Sequence, residues 1–240
     1  MQFSEIRTNL TDNIEGDDFT NLTTAMLNGW INDAVRWSCE GQVILPNGQL
    51  ISHDFSFIVN EVQASTIDLQ RKYDLPDGTT AGAWEFRKDK NVELIDADDN
   101  RVPLTKLHKK DIEDDPDFAY LLDKGTPTHF CIEQFKIWLF CLPDHSCNSD
   151  EAWTFNMEYW GYLPLLVEDT DTNVFTNKFH NLIEWKATAL AMEWAKDPSL
   201  EYYENKAVKR LVEMITNDQA IELGGIEKGM QPAAGNSLGV

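Results

Sequence analysis

The hydrophobic pattern changes period twice along the 240-residue chain, and this feature restricts the possible folds most strongly. From Asp18 to Glu40 apolar residues recur every three or four positions, which predicts an amphipathic helix that ends at Gly41. The helical period then gives way to short apolar runs and returns only after Asn173. We therefore expect helices at both ends of the chain and strands between them. A shorter first helix is also predicted, with one apolar side formed by Phe3, Ile6, Leu10 and Ile14.

The C-terminal helical region divides into two predicted helices. Asp197 and Pro198 are expected to begin the second one, because Asp is a good N-cap and Pro suits the first helical position. Gly224 and Gly225 are expected to end it. The stripe of the first helix is formed by Phe179, Leu182, Ile183, Lys186, Ala187, Leu190 and Trp194. The residues predicted to pack between helices include Trp30, Trp37 and Trp194.

The middle of the chain carries the signals of an antiparallel β region. Asn47-Gly48 lies between two apolar arms, and both residue types tolerate the positive φ of a tight hairpin turn. Further turns are indicated by LPDG at 75–78 and DADDN at 96–100, and one short helix is predicted within LHKKDIEDDPDFAYLL. The predicted strands are 66–73, 82–88, 92–95, 129–133, 136–141 and 153–160.

These elements predict an α+β fold, with a helical bundle formed by the N- and C-terminal helices and a large antiparallel β-rich insert. The helical domain would comprise residues 1–40 and 174–222, and the inserted domain residues 41–173. Residues 223–240 are predicted to form an extended tail, because they have no hydrophobic period. Such a tail would be disordered alone, so we expect it to dock on a partner subunit. The candidate partner-binding residues are Gly224, Gly225, Met230, Gln231, Pro232, Ala233, Ala234, Leu238 and Val240.

The charge balance is strongly acidic, with 20 Lys and Arg residues against 41 Asp and Glu residues and a formal net charge of −21. This balance argues against a protein that wraps nucleic acid, since phosphate binding depends on clustered Lys and Arg. It suits a conduit, because an acidic wall repels DNA and keeps it from sticking. The acidity could equally confer solubility alone, and the sequence leaves both interpretations open.

The N-terminal segment MQFSEIRTNL lacks the basic and apolar regions of a secretory signal, so we expect a protein kept inside the cell. No apolar run approaches the roughly 20 residues that a transmembrane helix needs. The four cysteines are therefore expected to be free thiols rather than a disulfide framework.

The segment CLPDHSCNSDEAW places two cysteines, one histidine and three carboxylates within thirteen residues. Cys141, His145 and Cys147 have a C-x3-H-x-C spacing, and Cys131 is the nearest candidate for a fourth ligand. Zinc sites usually use paired CxxC or HxxxH ligands, so this spacing fits a metal poorly. The favoured interpretation is a turn, begun by the Pro-Asp pair, that joins two strands in a hairpin.

Other recognised sites are not supported by the sequence. DTDTN at 169–173 matches the first ligand positions of an EF-hand loop, but Val174 replaces the required glycine and His180 the required glutamate. The chain contains no phosphate-binding loop, dinucleotide fingerprint or hydrolase nucleophile motif. We therefore expect no catalysis, no bound metal and no cofactor.

Several stretches, taken in order, resemble the head–tail adaptor proteins of tailed bacteriophages. They are GWINDAVRW, KYDLPDG, WLFCLPD, FNMEYWGYLPLL and FHNLIEWKATALAMEW, and the resemblance covers most of residues 20–222. In that family a ring of subunits, usually twelve, sits beneath the portal of the capsid and joins it to the tail.

The resemblance implies a structural protein of the virion neck that is assembled in the host cytoplasm. Its implied partners are copies of itself in the ring, the portal protein, and a tail or nozzle protein, with no membrane. DNA would pass through the ring without specific binding. Residues 224–240 would form the portal-docking arm, and the β-rich insert would face the tail.

Two functions of other classes remain as alternatives. The first is a tail or neck component whose β domain recognises carbohydrate or a receptor through exposed aromatic side chains. The second is a metal-dependent enzyme built on Cys141, His145 and Cys147. The exposure of the Trp and Tyr side chains of the insert tests the first alternative, and the metal content of the protein tests the second.

Overall fold

The computed structural model describes residues 1–14, 21–45, 47–79, 82–114 and 121–229. These residues contain six α-helices and several sheets paired mostly antiparallel, so the predicted α+β class is confirmed. The chain divides into two compact units, a first unit of Met1–Phe57 with Leu166–Val240 and a second unit of Ile58–Leu165. Within the described ranges, none of the helices combines the length and apolarity that crossing a membrane requires.

The elements follow one another in three groups. The N-terminal group is α1 (Phe3–Asn13), α2 (Thr24–Glu40), β1 (Gln42–Ile44) and β2 (Leu50–Ser52). The middle group is β3 (Val59–Ser65), β4 (Lys72–Asp74), β5 (Glu85–Ile95), β6 (Arg101–Pro103), β7 (Thr105–Lys106), α3 (Lys109–Asp114), β8 (Lys124–Gly125), β9 (His129–Glu133), β10 (Lys136–Phe140), β11 (Leu142–Pro143) and β12 (Thr154–Tyr162). The C-terminal group is α4 (Val174–Lys178), α5 (His180–Ala195) and α6 (Leu200–Gly229).

Helix α5 lies at the centre of the first unit, because α1, α2 and α6 all pack against it. Burial therefore extends around several sides of α5 rather than along one stripe. Its buried residues are Leu182, Ile183, Glu184, Ala187, Thr188, Ala189, Ala191 and Met192. Helix α1 has the predicted single apolar side, and all four of its predicted core residues, Phe3, Ile6, Leu10 and Ile14, are buried.

Helix α2 differs from its prediction at its start and in its buried face. It begins at Thr24, where the hydroxyl of Thr23 accepts a hydrogen bond from the amide of Met26 at 3.3 Å. Residues 15–20 lie outside the described residues. Smaller side chains form its buried face, so the tryptophans lie at the edge, where the Trp30 ring is 6.0 Å from that of Trp194. The buried residues of α2 are Leu27, Ile31, Ala34, Val35, Ser38 and Cys39.

Gly41 ends α2 as predicted, in the left-handed conformation with a φ of 59°. Its carbonyl accepts a hydrogen bond from the amide of His53 at 3.0 Å. A Cβ at this position would lie 2.1 Å from the carbonyl oxygen of His53. Only glycine therefore allows the segment after β2 to approach the end of α2 so closely.

We expect Gly41→Ala to lower the free energy of unfolding by at least about 2 kcal/mol, because the left-handed backbone and the clash with His53 are both unfavourable. Gly29→Ala is the matched control, since a Cβ at Gly29 inside α2 would have no atom within 4 Å. That control should raise stability by about 0.5–1 kcal/mol, because alanine favours a helix over glycine. Urea denaturation measures both changes, and equal stabilities of the two variants would contradict the expectation.

The predicted hairpin around Asn47-Gly48 is confirmed. Strands β1 and β2 pair antiparallel with Val43 opposite Ile51 and Ile44 opposite Leu50. Gly48 has a φ of 81°, the positive value that such a turn requires. The hairpin belongs to the first unit and places its strands beside α6.

Two four-stranded sheets form most of the second unit. One has the order β3-β12-β5-β6 and is antiparallel throughout. The other has the order β4-β10-β9-β7 and is antiparallel except for β7 and β9. Both sheets contribute to one core cluster, which includes Tyr73, Ile137, Leu139, Phe155, Met157 and Tyr159.

The predicted strand at 66–73 is wrong for most of its length. Leu69 has a φ of 58°, and the amide of Gln70 donates to the carbonyl of Ile67 at 3.0 Å, so the chain turns here before β4. Strand β3 was not predicted, because it lies at a sheet edge and none of its residues is fully buried. The predicted strands 82–88 and 92–95 are one strand, β5, in which a bulge at Lys90 interrupts the register with β12.

Both predicted ends of α6 are wrong. The helix begins at Leu200, two residues after Pro198, and the Asp197 carboxylate instead accepts a hydrogen bond from the amide of Ser199 at 2.7 Å. It continues through Gly224 and Gly225 to Gly229. A glycine costs about 1 kcal/mol inside a helix but does not by itself end one, and helix-forming residues flank this pair.

Candidate interaction surface

A buried polar network joins the segment after β2 to α6. The Asp218 carboxylate accepts hydrogen bonds from His53 Nε2 at 2.8 Å, from the Ser56 amide at 3.1 Å and from the Ser56 hydroxyl at 3.0 Å. The side chains of His53 and Asp218 are only 9% and 7% exposed. Burial raises the pKa of Asp218, but the hydrogen bonds from His53 and Ser56 outweigh burial and hold that pKa below its ordinary value. The ionised carboxylate of Asp218 thus links the segment after β2 to α6.

The directions of these hydrogen bonds indicate that the network positions other groups of the protein. In a hydrolase triad the serine hydroxyl donates to the imidazole, and the carboxylate orients the imidazole. Here the Ser56 hydroxyl donates to Asp218 itself. The network therefore orients the backbone of Ser56 and the ring of His53 relative to α6.

Beside this network, the β1–β2 hairpin and α6 enclose a surface depression that we call the hairpin groove. It consists of two adjoining concavities of about 590 and 600 Å³ that share Asn205 and Val208. The residues lining the first include Leu45, Val212 and Thr216, and those lining the second include Trp37, Val43, Ile44 and Leu50. All of these residues belong to the first unit.

The hairpin presents two exposed aliphatic side chains to the groove. Ile44 is 68% exposed and Leu50 is 60% exposed. The two residues are direct partners in the ladder, so their side chains lie next to each other on one face of the hairpin. Val43, on the opposite face, is buried. The hairpin thus anchors one face on its own unit and leaves an apolar pair on the other.

The predicted hairpin across CLPDHSCNSDEAW is wrong, because β10 and β12 belong to different sheets. The segment instead connects the sheets through a short 3-10 helix, His145–Asn148. The Asp144 carboxylate caps this helix by accepting from the amide of Ser146 at 3.1 Å, and Lys124 forms an ion pair with it at 3.1 Å. The hydrogen bond from the Ser146 hydroxyl and the contact with Lys124 lower the pKa of Asp144.

The potential metal ligands in this segment have separate surroundings. His145 Nε2 lies 3.1 Å from the hydroxyl of Thr66, Cys147 is exposed, and burial raises the pKa of the Cys141 thiol. Cys131 packs with Leu121 and Phe140 in a small apolar cluster. In the part of the chain that the structure describes, no group of three or more His, Cys, Asp or Glu side chains is arranged to hold a metal ion.

The carboxylates of DTDTN organise the backbone before α4. Asp169 forms an ion pair with Arg7 at 2.5 Å. Asp171 accepts hydrogen bonds from the amides of Val167 and Glu168, both at 2.8 Å, and these bonds lower its pKa. Asn173 caps α4 by accepting from the amide of Thr176 at 2.9 Å. Each of the three side chains thus has a structural role.

The aromatic side chains of the second unit are mostly covered. Trp153 and Tyr159 lie in the core cluster, and the ring of Trp138 is covered by Lys72 at 3.9 Å and Lys109 at 4.6 Å. All described Trp and Tyr residues of this unit are buried or half-buried. The described residues therefore offer no exposed Trp or Tyr platform of the kind a carbohydrate-binding domain needs.

The predicted partner-binding residues of the tail fall into two groups. Gly224 and Gly225 lie inside α6. The other seven, Met230, Gln231, Pro232, Ala233, Ala234, Leu238 and Val240, lie outside the described residues.

Sequence reasoning missed both the buried network and the hairpin groove. His53 and Asp218 are 165 residues apart, and no local pattern connects them. The sequence does contain one signal of the network. Asp218 lies at helical spacing from Leu211, Met214 and Ile215, and this spacing places its carboxylate on the buried face of α6. The groove depends on long-range packing of the hairpin beside α6, which no motif encodes.

The sequence model of the SU10 adaptor protein family matches residues 1–225. The match therefore covers both compact units and extends into α6. No curated protein matches the chain significantly.

Proposed function

Because this chain belongs to the SU10 adaptor protein family, a family of phage head–tail adaptors, we propose that it forms a ring beneath the portal and joins the capsid to the tail. The family match over residues 1–225 is the observation that carries the proposal. Membership implies a structural protein of the virion that contacts other phage structural proteins. The proposed details are the ring, its usual count of twelve subunits, and its neighbours, which are the portal and the tail or nozzle protein.

We propose that the helical elements and the β1–β2 hairpin form the body of the ring. The rest of the predicted insert 41–173, which is mainly the second unit Ile58–Leu165, would face the tail. The packing of α1, α2 and α6 on α5 supports a helical bundle built from residues 1–40 and 174–222. Because α6 extends to Gly229, an extended docking arm would begin after that residue. The portal-docking role then rests on residues 230–240.

The acidity of the chain supports a DNA conduit. A formal charge of −21 on each subunit gives a ring a strongly negative field, which repels the phosphates of a passing duplex. DNA would then move through the ring without specific binding.

The same charge gives a test of ring assembly. Like-charged subunits repel one another, and raising the salt from about 0.01 to 0.15 M shortens the Debye length from about 30 to about 8 Å. We therefore expect the fraction of protein in rings to increase with NaCl concentration. Sedimentation velocity measures that fraction, with and without portal, and circular dichroism confirms that the fold is constant. Rings that weaken as the salt concentration rises would contradict the expectation that charge repulsion between subunits opposes ring assembly.

A further inference from the structure

The hairpin groove combines an apolar floor with the size of a binding site. Ile44 and Leu50 from the hairpin and Val208 and Val212 from α6 contribute its apolar lining. Concavities of about 590 and 600 Å³ fall within the range of about 300–1,000 Å³ that is typical of ligand pockets. Covering the exposed side chains of Ile44 and Leu50 would be favourable, because it removes apolar surface from water.

The rim of the groove is acidic. Glu40, Glu201 and Glu204 line the 600 Å³ concavity, and Glu193 and Asp197 line a neighbouring concavity of about 570 Å³ that also contains Glu201 and Glu204. Glu213 and one cation, Lys209, line the 590 Å³ concavity, so four carboxylates and one ammonium group line the groove among the described residues. The neighbouring concavity contains a second cation, Lys186. Its ammonium group lies 2.8 Å from both oxygens of Glu204 and is largely buried. The groove therefore presents a negative field around an apolar floor.

This combination decides between possible occupants. A second copy of the chain would cover the apolar floor, but its net charge of −21 would leave the acidic rim without complementary cations. The segment 230–240, MQPAAGNSLGV, contains no Lys or Arg that could complement the rim. A partner segment that carries both aliphatic side chains and Lys or Arg would cover the apolar floor and pair with the carboxylates of the rim.

We propose that the hairpin groove binds a basic, amphipathic segment of a different protein. The inference rests on the proposed function, because it assigns a partner chemistry to one surface of the adaptor. The partner's aliphatic side chains would cover Ile44, Leu50 and Val208, and its cationic groups would lie beside Glu201. The complementary charges would speed association and select against acidic segments.

Peptide binding to the full-length protein tests the proposal. The probe is a fluorescein-labelled amphipathic peptide of Leu and Lys, about 14 residues or four helical turns long. One comparison peptide replaces every Lys with Glu, and another replaces every Leu with Ser. Fluorescence anisotropy should show that the Leu/Lys peptide binds at least about tenfold more tightly than either, a difference of about 1.4 kcal/mol. Equal binding of the Leu/Glu peptide would overturn the proposal.

Matched variants locate the binding to the groove. Ile44→Asp and Glu201→Lys should each weaken binding of the Leu/Lys peptide by about tenfold or more. Val167→Asp is the control for the first, because Val167 is an exposed aliphatic residue outside the groove. Glu151→Lys is the control for the second, because it changes the net charge equally from the second unit. If Glu151→Lys weakens binding as much as Glu201→Lys, the peptide responds to total charge and the proposal is wrong.

Sedimentation of the same variants separates this inference from the proposed function. Ile44→Asp should leave self-association unchanged, and loss of rings in that variant would show that a second copy occupies the groove, which overturns the proposal. A further outcome is that wild-type protein forms no rings with portal and still binds the peptide, with binding weakened by the groove variants and unchanged by the controls. In that case the proposed adaptor ring is wrong and the assignment of the groove stands.

Discussion

Asp218→Ala is expected to lower the free energy of unfolding by about 3 kcal/mol, because it removes the acceptor of a buried, charged hydrogen-bond network. The substitution leaves the Ser56 amide, the Ser56 hydroxyl and His53 Nε2 without the carboxylate that now accepts from all three. Urea denaturation of the full-length protein measures the loss.

Glu213→Ala is the matched control on the same helix. Its carboxylate pairs with Arg210 at 2.9 Å, and both side chains are substantially exposed. Exposed ion pairs contribute about 0–1 kcal/mol, so this variant should lose little. Similar losses in Asp218→Ala and Glu213→Ala would show that the buried network does not fasten the hairpin to α6.

The Asp218 network also predicts a pH dependence. The pKa of Asp218 is lower in the folded protein than its ordinary value, so the ionised group stabilises the fold above the unfolded-state pKa of about 4. That contribution declines as the pH falls through the depressed pKa of the folded state. The stability difference between wild type and Asp218→Asn should therefore be largest above about pH 5 and should shrink below about pH 4. A difference that grows on acidification would contradict the assigned charge state.

Removal of residues 230–240 is expected to weaken portal binding by at least about a hundredfold, roughly 2.7 kcal/mol, while the fold remains intact. These residues follow α6 and include seven of the nine candidate docking residues. Surface plasmon resonance on immobilised portal measures the affinity, and thermal unfolding checks the fold.

Variants of the two glycines provide the control for this truncation. Gly224 and Gly225 lie inside α6, where alanine is more favourable than glycine, so Gly224→Ala and Gly225→Ala should keep portal binding. A truncated chain that binds portal as tightly as the full-length chain would show that residues 230–240 are not the docking arm.

Local sequence patterns predicted the elements whose structure depends on local chemistry. The apolar side of α1, the left-handed end of α2 at Gly41 and the Asn47-Gly48 turn all follow from the residues at those positions. The same holds for the turn at 96–100, where Asp96 accepts hydrogen bonds from the amides of Asp98 and Asn100. Helix spacing and turn chemistry act over a few residues, so they are readable from the sequence.

Features that depend on distant partners were not predictable in this way. The alternation of apolar and polar residues on both sides of CLPDHSCNSDEAW predicted strands β10 and β12. It did not predict that they belong to different sheets, because the pairing of each strand depends on the other strands of its sheet. The edge strand β3 buries none of its residues fully, so its apolar signal is weak. The hairpin groove depends on the packing of the hairpin beside α6, and in the buried network only Asp218 is marked by the helical pattern.

The oligomeric state of the purified protein, alone and mixed with portal, tests the central claim most directly. We expect mass measurements by analytical ultracentrifugation to show portal bound to a ring of 27.5 kDa subunits, with about one adaptor subunit for each portal subunit. A chain that stays monomeric both alone and with portal, at salt concentrations that screen its charge, would contradict the assignment as a ring-forming head–tail adaptor.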